Sequence, residues 1–133
     1  MELNFLQPTR SAEEDLRPGD VMHITDEIWS VLKPAAEIGD FATREDLEDG
    51  IEKGYFMLWT KNKSAIVTSK IKNTIRMGLG GGDLKDIKAL VKDIEAYAKS
   101  HWMSHVDILG RSGWERVLPG YNKQAVLLRK KVL

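Results

Sequence analysis

No cysteine occurs among the 133 residues, which excludes disulfides, thiolate metal ligands and a cysteine nucleophile. Net charge is missing too, because 20 Lys and Arg balance 20 Asp and Glu. A protein gripping a nucleic-acid backbone carries a basic excess, so no nucleic-acid partner is expected. No window reaches the apolar length needed to cross a bilayer, and no membrane partner is expected. Residues 1–5 lack a basic region followed by an apolar run, so no signal peptide is expected and the expected location is the cytoplasm. Repeats, low-complexity tracts and linkers are absent as well, so residues 1–133 read as a single domain. Apolar residues at 42% and charged residues at 30% suit a folded domain with one substantial core.

What is present centres on residues 74–83. From 74 to 79 the residues alternate: Ile75, Met77 and Leu79 fall on one side, Thr74, Arg76 and Gly78 on the other, the period of a strand. Gly78, Gly80, Gly81 and Gly82 crowd the end of that run, and Asp83 reads as a helix N-cap. Leu84, Ile87, Leu90, Val91, Ile94, Tyr97 and Ala98 then recur at helical spacing, predicting one amphipathic helix to about His101. A strand, a glycine turn and a long helix together aim backbone N–H groups at an anion. Glycine lets a phosphate approach closely because it has no Cβ. The same layout also serves as a plain connection from a strand to a packed helix.

Around this stretch the chain reads as follows. Residues 3–7 form a short strand closed by Pro8, and residues 11–20 are polar with a turn at Pro18 and Gly19. Thr25 or Asp26 caps a helix with Ile28, Trp29, Val31, Leu32, Ala35 and Ala36 on its apolar face; Pro34 predicts a kink or an early end. Thr43, Arg44, Glu45 and Asp46 resemble a capping box, and the short helix after it turns Leu47 and Ile51 inward and stops at Gly54. Residues 55–59 are continuously apolar, a strand buried on both faces. Lys61, Asn62 and Lys63 turn into a strand carrying Ala65, Val67 and Ile71. Lys72 and Asn73 turn again into residues 74–79, which makes an antiparallel meander. After the long helix, Val106 and Ile108 mark a strand parallel to the one before it. Residues 112–118 allow a short helix, and residues 121–133 predict a last strand with Ala125, Leu127 and Leu128 apolar. The fold class is α/β (α+β), a mixed central sheet with the order β-α-α-β-β-β-α-β-α-β.

That order, with its glycine turn between the fourth strand and the long helix, resembles the GNAT-type N-acetyltransferases. The segment from Gly110 to Tyr121, GRSGWERVLPGY, is similar to small GNAT-like proteins encoded by tailed phages and prophages. The resemblance implies an acetyl-coenzyme A cofactor whose pyrophosphate lies on the backbone of Gly78, Leu79, Gly80, Gly81, Gly82 and Asp83. It implies an amine acceptor if the chain is an enzyme. If it is a non-catalytic virion or assembly component, it implies phage structural proteins as partners, with the host cytoplasm or the virion as its place. Enzymes of this type commonly carry Gln or Arg at the head of the glycine motif, where this chain has Ile75.

The transfer needs a base for the amine and a donor for the departing thiolate. The family often places a carboxylate on the strand before the turn, but residues 71–79 contain none. Its usual tyrosine donor corresponds to Arg116 here, and a guanidinium stays charged and donates poorly. Asp107 is a substitute base or a solvated strand residue. Tyr121 is a substitute donor or a packing anchor. His101 and His105 suit a surface or capping role, with no metal site expected. Trp29, Trp59, Trp102 and Trp114 read as core or interface residues, and Arg129, Lys130 and Lys131 as a solvated edge.

Overall fold

The computed structural model describes residues 24–39, 42–110 and 113–133. The strand expected at residues 3–7 and the turn at Pro18 and Gly19 lie outside the described residues. Two helices come first, α1 (Asp26–Gly39) and α2 (Arg44–Glu52). A meander follows, β1 (Phe56–Lys61), β2 (Ser64–Ile71) and β3 (Thr74–Gly81). The long helix α3 (Leu84–Ser100), the strand β4 (His105–Ile108) and the short helix α4 (Trp114–Val117) complete the elements. The sheet order is β1-β2-β3-β4, with β4 parallel to β3 and the other pairs antiparallel.

The helix ends follow from capping chemistry. Thr43 accepts from the Asp46 N–H at 3.1 Å while the Asp46 carboxylate accepts from the Thr43 N–H at 3.1 Å, so the capping box forms with aspartate. Asp83 accepts from the Lys85 N–H at 3.1 Å and starts α3. At the other end of α3, His101 is the C-cap, its ring nitrogen 2.9 Å from the Tyr97 carbonyl. Proline does not end α1, which runs through Pro34 to Gly39. Pro34 points to solvent while Leu32 and Ala36 on either side of it are fully buried, and their packing holds the helix past the missing N–H.

The sheet is covered on both faces. On one, α3 sets Ile87, Leu90, Val91, Ile94 and Ala98 against Trp59, Ile66, Ile75 and Met77. On the other, Ile28, Leu32 and Ala36 of α1 and Leu47 and Ile51 of α2 pack on Leu58, Ala65, Val67 and Leu79. Each fully buried Leu or Ile in these layers stabilises by about 1.5–3 kcal/mol relative to exposure. Burial on both faces explains the apolar run in β1 at Leu58 and Trp59, although Tyr55 beside it stands in solvent. It also makes residues 64–68 of β2 buried throughout, where alternation had assigned only one face.

Two expectations fail in β3. Leu79 does not share a face with Ile75 and Met77; it packs with α1 and α2, and they pack with α3. The register explains the switch. Thr68 pairs with Met77 and Val67 with Leu79, so Gly78 is an extra residue, a β-bulge that reverses the alternation after it. Nor do the four glycines form a turn. Gly80 pairs with Ile66 and Gly81 with Ala65, so the strand continues through Gly81, and Gly82 alone (φ +122°) makes the reversal before Asp83.

The last predicted strand is absent. Residues 121–133 have no regular structure, and Val126, Leu127, Leu128, Val132 and Leu133 are exposed. Alternation alone does not make a strand, and residues 121–133 pair with neither edge of the sheet.

A candidate ligand cleft between diverging strands

The parallel pair β3–β4 is short. Thr74 to Met77 match His105 to Ile108 one for one, and the Leu109 N–H then donates to the Met77 carbonyl at 3.0 Å. Beyond that bond the strands part at the bulge. The divergence leaves a cleft of ≈ 570 Å³ that passes through the sheet. Its inner edge is Met77, Gly78, Leu79, Gly80, Gly81 and Gly82, and its outer edge is Ile108, Leu109 and Gly110. Leu84, Ile87 and Val91 of α3 wall one side with Trp114 and Leu118, while Pro34 and Ala35 of α1 close the other and Leu127 reaches the mouth.

The glycines have three different reasons to be glycine. A Cβ on Gly78 would meet nothing within 4 Å, so this position opens onto the cleft. A Cβ on Gly81 would overlap the Val31 carbonyl oxygen and stand 2.8 Å from its carbon, so Gly81 is where α1 lies on the sheet. At Gly82 it would overlap the Ser64 hydroxyl and stand 2.6 Å from Ser64 Cα. Gly78→Ala is therefore expected to be tolerated, with stability raised by about 0.4–1 kcal/mol through the unfolded chain; urea unfolding checks it.

All five residues 78–82 line the cleft, as the sequence reading grouped them, while Asp83 does not. Alternate residues of a strand present N–H and C=O to opposite edges, so past Met77 some of these groups face the cleft with no strand against them. The start of α3 is less open to an anion. The Asp83 N–H donates to Ser64 at 2.9 Å and the Lys85 N–H to Asp83. Asp86, buried in the first turn, accepts from Asn62 at 3.0 Å and from Ser64 at 3.1 Å. Two carboxylates thus sit where a phosphate would be drawn by the helix dipole.

The cleft walls carry no titratable side chain among the described residues. The substitute proton carriers lie elsewhere and are occupied. Asp107 forms an ion pair with Arg76 at 3.2 Å. Tyr121 donates to Glu95 on α3 at 2.7 Å. Partial burial, reinforced by that hydrogen bond and the Glu95 charge, pushes the Tyr121 phenol well above the usual tyrosine range. Because its proton is held more tightly in the folded state, Tyr121 contributes stability that is complete below about pH 10 and declines as pH rises above it. Tyr121→Phe is expected to flatten that alkaline decline, measured as urea midpoint against pH. Arg116 is exposed, and His105 contacts the Ser104 hydroxyl at 2.9 Å. No group of three His, Cys, Asp or Glu side chains converges among the described residues.

Sequence reasoning missed most of the outer wall. Trp114 follows the glycines of the Gly110–Tyr121 motif, and its indole stands 3.3 Å from where a Cβ on Gly110 would be. That motif was visible; the wall it builds required knowing that β4 diverges. Trp59 is core and donates to Thr68 at 3.0 Å, whereas Trp102 is 90% exposed. No helix among the described residues is long and apolar enough to cross a membrane. Comparison with family models, curated proteins and solved structures finds no match for this chain.

Proposed function

We propose that this chain is a GNAT-like protein of the phage type that binds an acyl-coenzyme A in the cleft between β3 and β4, with a degenerate catalytic site. The observation that carries this reading is the divergence after Met77 and Ile108, which leaves a glycine-edged gap through the sheet. A pantetheine arm is an extended chain with two amides. Laid in the gap, it hydrogen-bonds the exposed edge of residues 78–82 as an added strand would, with Ile87, Val91 and Trp114 covering its apolar parts. The residues present fit that arm. They fit the pyrophosphate less well, because Asp83 and Asp86 hold the start of α3 and no basic side chain lines the cleft among the described residues.

Acyl-coenzyme A supplies an activated thioester; accepting the proton of an attacking amine falls to the protein. The walls have nothing to accept it, Asp107 is paired to Arg76, and Tyr121 is held by Glu95. Binding without efficient transfer follows. The same lack of proton carriers favours a second reading, a non-catalytic virion or assembly component on this scaffold with phage structural proteins as partners. If so, the protein belongs in the particle as well as in the host cytoplasm.

The test is calorimetric titration of acetyl-coenzyme A into the wild type and Gly78→Trp. A Cβ on Gly78 meets nothing within 4 Å, so an indole there is expected to enter the cleft. Micromolar binding by the wild type, lost in a Gly78→Trp protein with unchanged unfolding midpoint, is the expected result. Absence of heat from the wild type at high cofactor concentration removes the cofactor reading and leaves the scaffold reading, checked by recovery of the protein in purified phage particles.

A further inference from the structure

We infer that the cleft takes a long aliphatic acyl chain rather than an acetyl group, and that this chain crosses the sheet through the β3–β4 gap toward α1. The carrier of the chain rests on the acyl-coenzyme A reading, which the chain makes specific. The chemistry of the walls points to such a ligand. A site that recognises a small polar group sets polar side chains around it. Every side chain lining this cleft among the described residues is apolar, and the remaining lining residues are glycines. The polar groups on offer are backbone N–H and C=O along residues 78–82, which suit the amides of the carrier.

The extent of the cleft agrees. An acetyl group ends in one methyl, whereas the cleft measures ≈ 570 Å³ and has walls on both faces of the sheet. Ile87, Val91 and Trp114 stand on the α3 side, and Pro34 and Ala35 of α1 stand on the other. With the carrier laid along the α3 side, an acetyl group leaves the α1 side in water. A flexible saturated chain continues through the gap and covers it.

The gap is open where such a chain has to pass. Paired strands lie about 4.8 Å apart, and β3 and β4 have parted beyond Met77 and Ile108, so the opening exceeds one strand spacing. Gly78 stands at that point, and a Cβ there meets nothing within 4 Å, so the crossing is clear of side chains from this position. The bulge at Gly78 also turns Leu79 to the α1 layer while Met77 faces the α3 layer. The edge of β3 therefore offers an apolar side chain on each side of the crossing.

The test is calorimetric titration of acetyl-, butyryl-, hexanoyl- and octanoyl-coenzyme A, with sodium dodecanoate as a chain without the carrier. Affinity is expected to rise about two- to fourfold per added methylene, the upper figure being full burial at ~0.8 kcal/mol each. Ala35→Phe, which fills the α1 end, is expected to leave acetyl-coenzyme A binding unchanged and to abolish the gain from hexanoyl onward. Leu109→Trp narrows the gap from its exposed outer edge and is expected to do the same, so the result does not depend on one variant folding. Unfolding midpoints identify a variant that has lost its fold. Equal affinity across the series overturns the inference and leaves the coenzyme reading standing. Dodecanoate binding that Gly78→Trp removes, with no binding of any coenzyme ester, supports the aliphatic site and overturns the carrier. No binding of either kind overturns both.

Discussion

Gly81→Ala is expected to destabilise the protein by at least about 3 kcal/mol, the upper range for forcing atoms into a packed interior. The added methyl would overlap the carbonyl of Val31, a backbone atom of α1, and cannot be relieved by a rotamer change. Moving α1 away would open the layer in which Leu32 and Ala36 are fully buried against Val67 and Leu79. Moving β3 instead would break its pairing with Ala65. The contrast with Gly78→Ala, three residues earlier in the same strand, makes the measurement specific. Urea unfolding followed by tryptophan fluorescence reads both. Equal midpoints for the two variants would mean that α1 does not rest on β3 at Gly81.

The second large loss is expected from Ser64→Ala, about 1.5–3 kcal/mol, the range for hydrogen bonds to charged groups that leave a buried partner unpaired. Ser64 is 1% exposed and its hydroxyl does two jobs: it accepts from the Asp83 N–H and donates to the Asp86 carboxylate. Without it, a buried carboxylate keeps Asn62 alone as side-chain partner and the entry to α3 loses its tie to the β1–β2 turn. Cavity formation is minor, since only an oxygen is removed. An Asp86→Ala change in the Ser64→Ala background should therefore cost less than in the wild type, and a double-mutant cycle measures that coupling. Additive losses would show that the two groups stabilise the fold separately.

Much of the architecture was legible because its signals are local. The capping box at Thr43 and Asp46, the Asp83 cap, and the turns at Asn62 and Lys72 (both in left-handed conformation) are fixed by neighbours in sequence. The parallel placement of β4 follows from a helix standing between it and β3. Three things were not legible, each for a non-local reason. The bulge at Gly78 depends on how β3 meets β2, and without it Leu79 is assigned to the wrong layer. The reason for Gly81 is a backbone from α1, some fifty residues earlier in the chain. The final strand failed because a strand needs a pairing partner as well as a pattern, and residues 121–133 pair with neither edge of the sheet. Of the candidate site, the glycine edge was readable, whereas the α1, β4 and α4 walls appear only when the divergence is known. The roles weighed for Asp107 and Tyr121 are decided by Arg76 and Glu95.

The divergence of β3 and β4 also has a kinetic meaning. β1, β2 and β3 are joined by tight turns, so their pairing is local and cheap in loop entropy. β4 joins β3 only after the whole of α3 has been laid down, and then through four residue pairs. A contact of that sequence separation is expected to form after the rate-limiting step. A ligand that spanned the two strands would then act as a clasp on this late pairing. Its stabilisation is expected in a slower escape from the native state, with the speed of folding left almost unchanged.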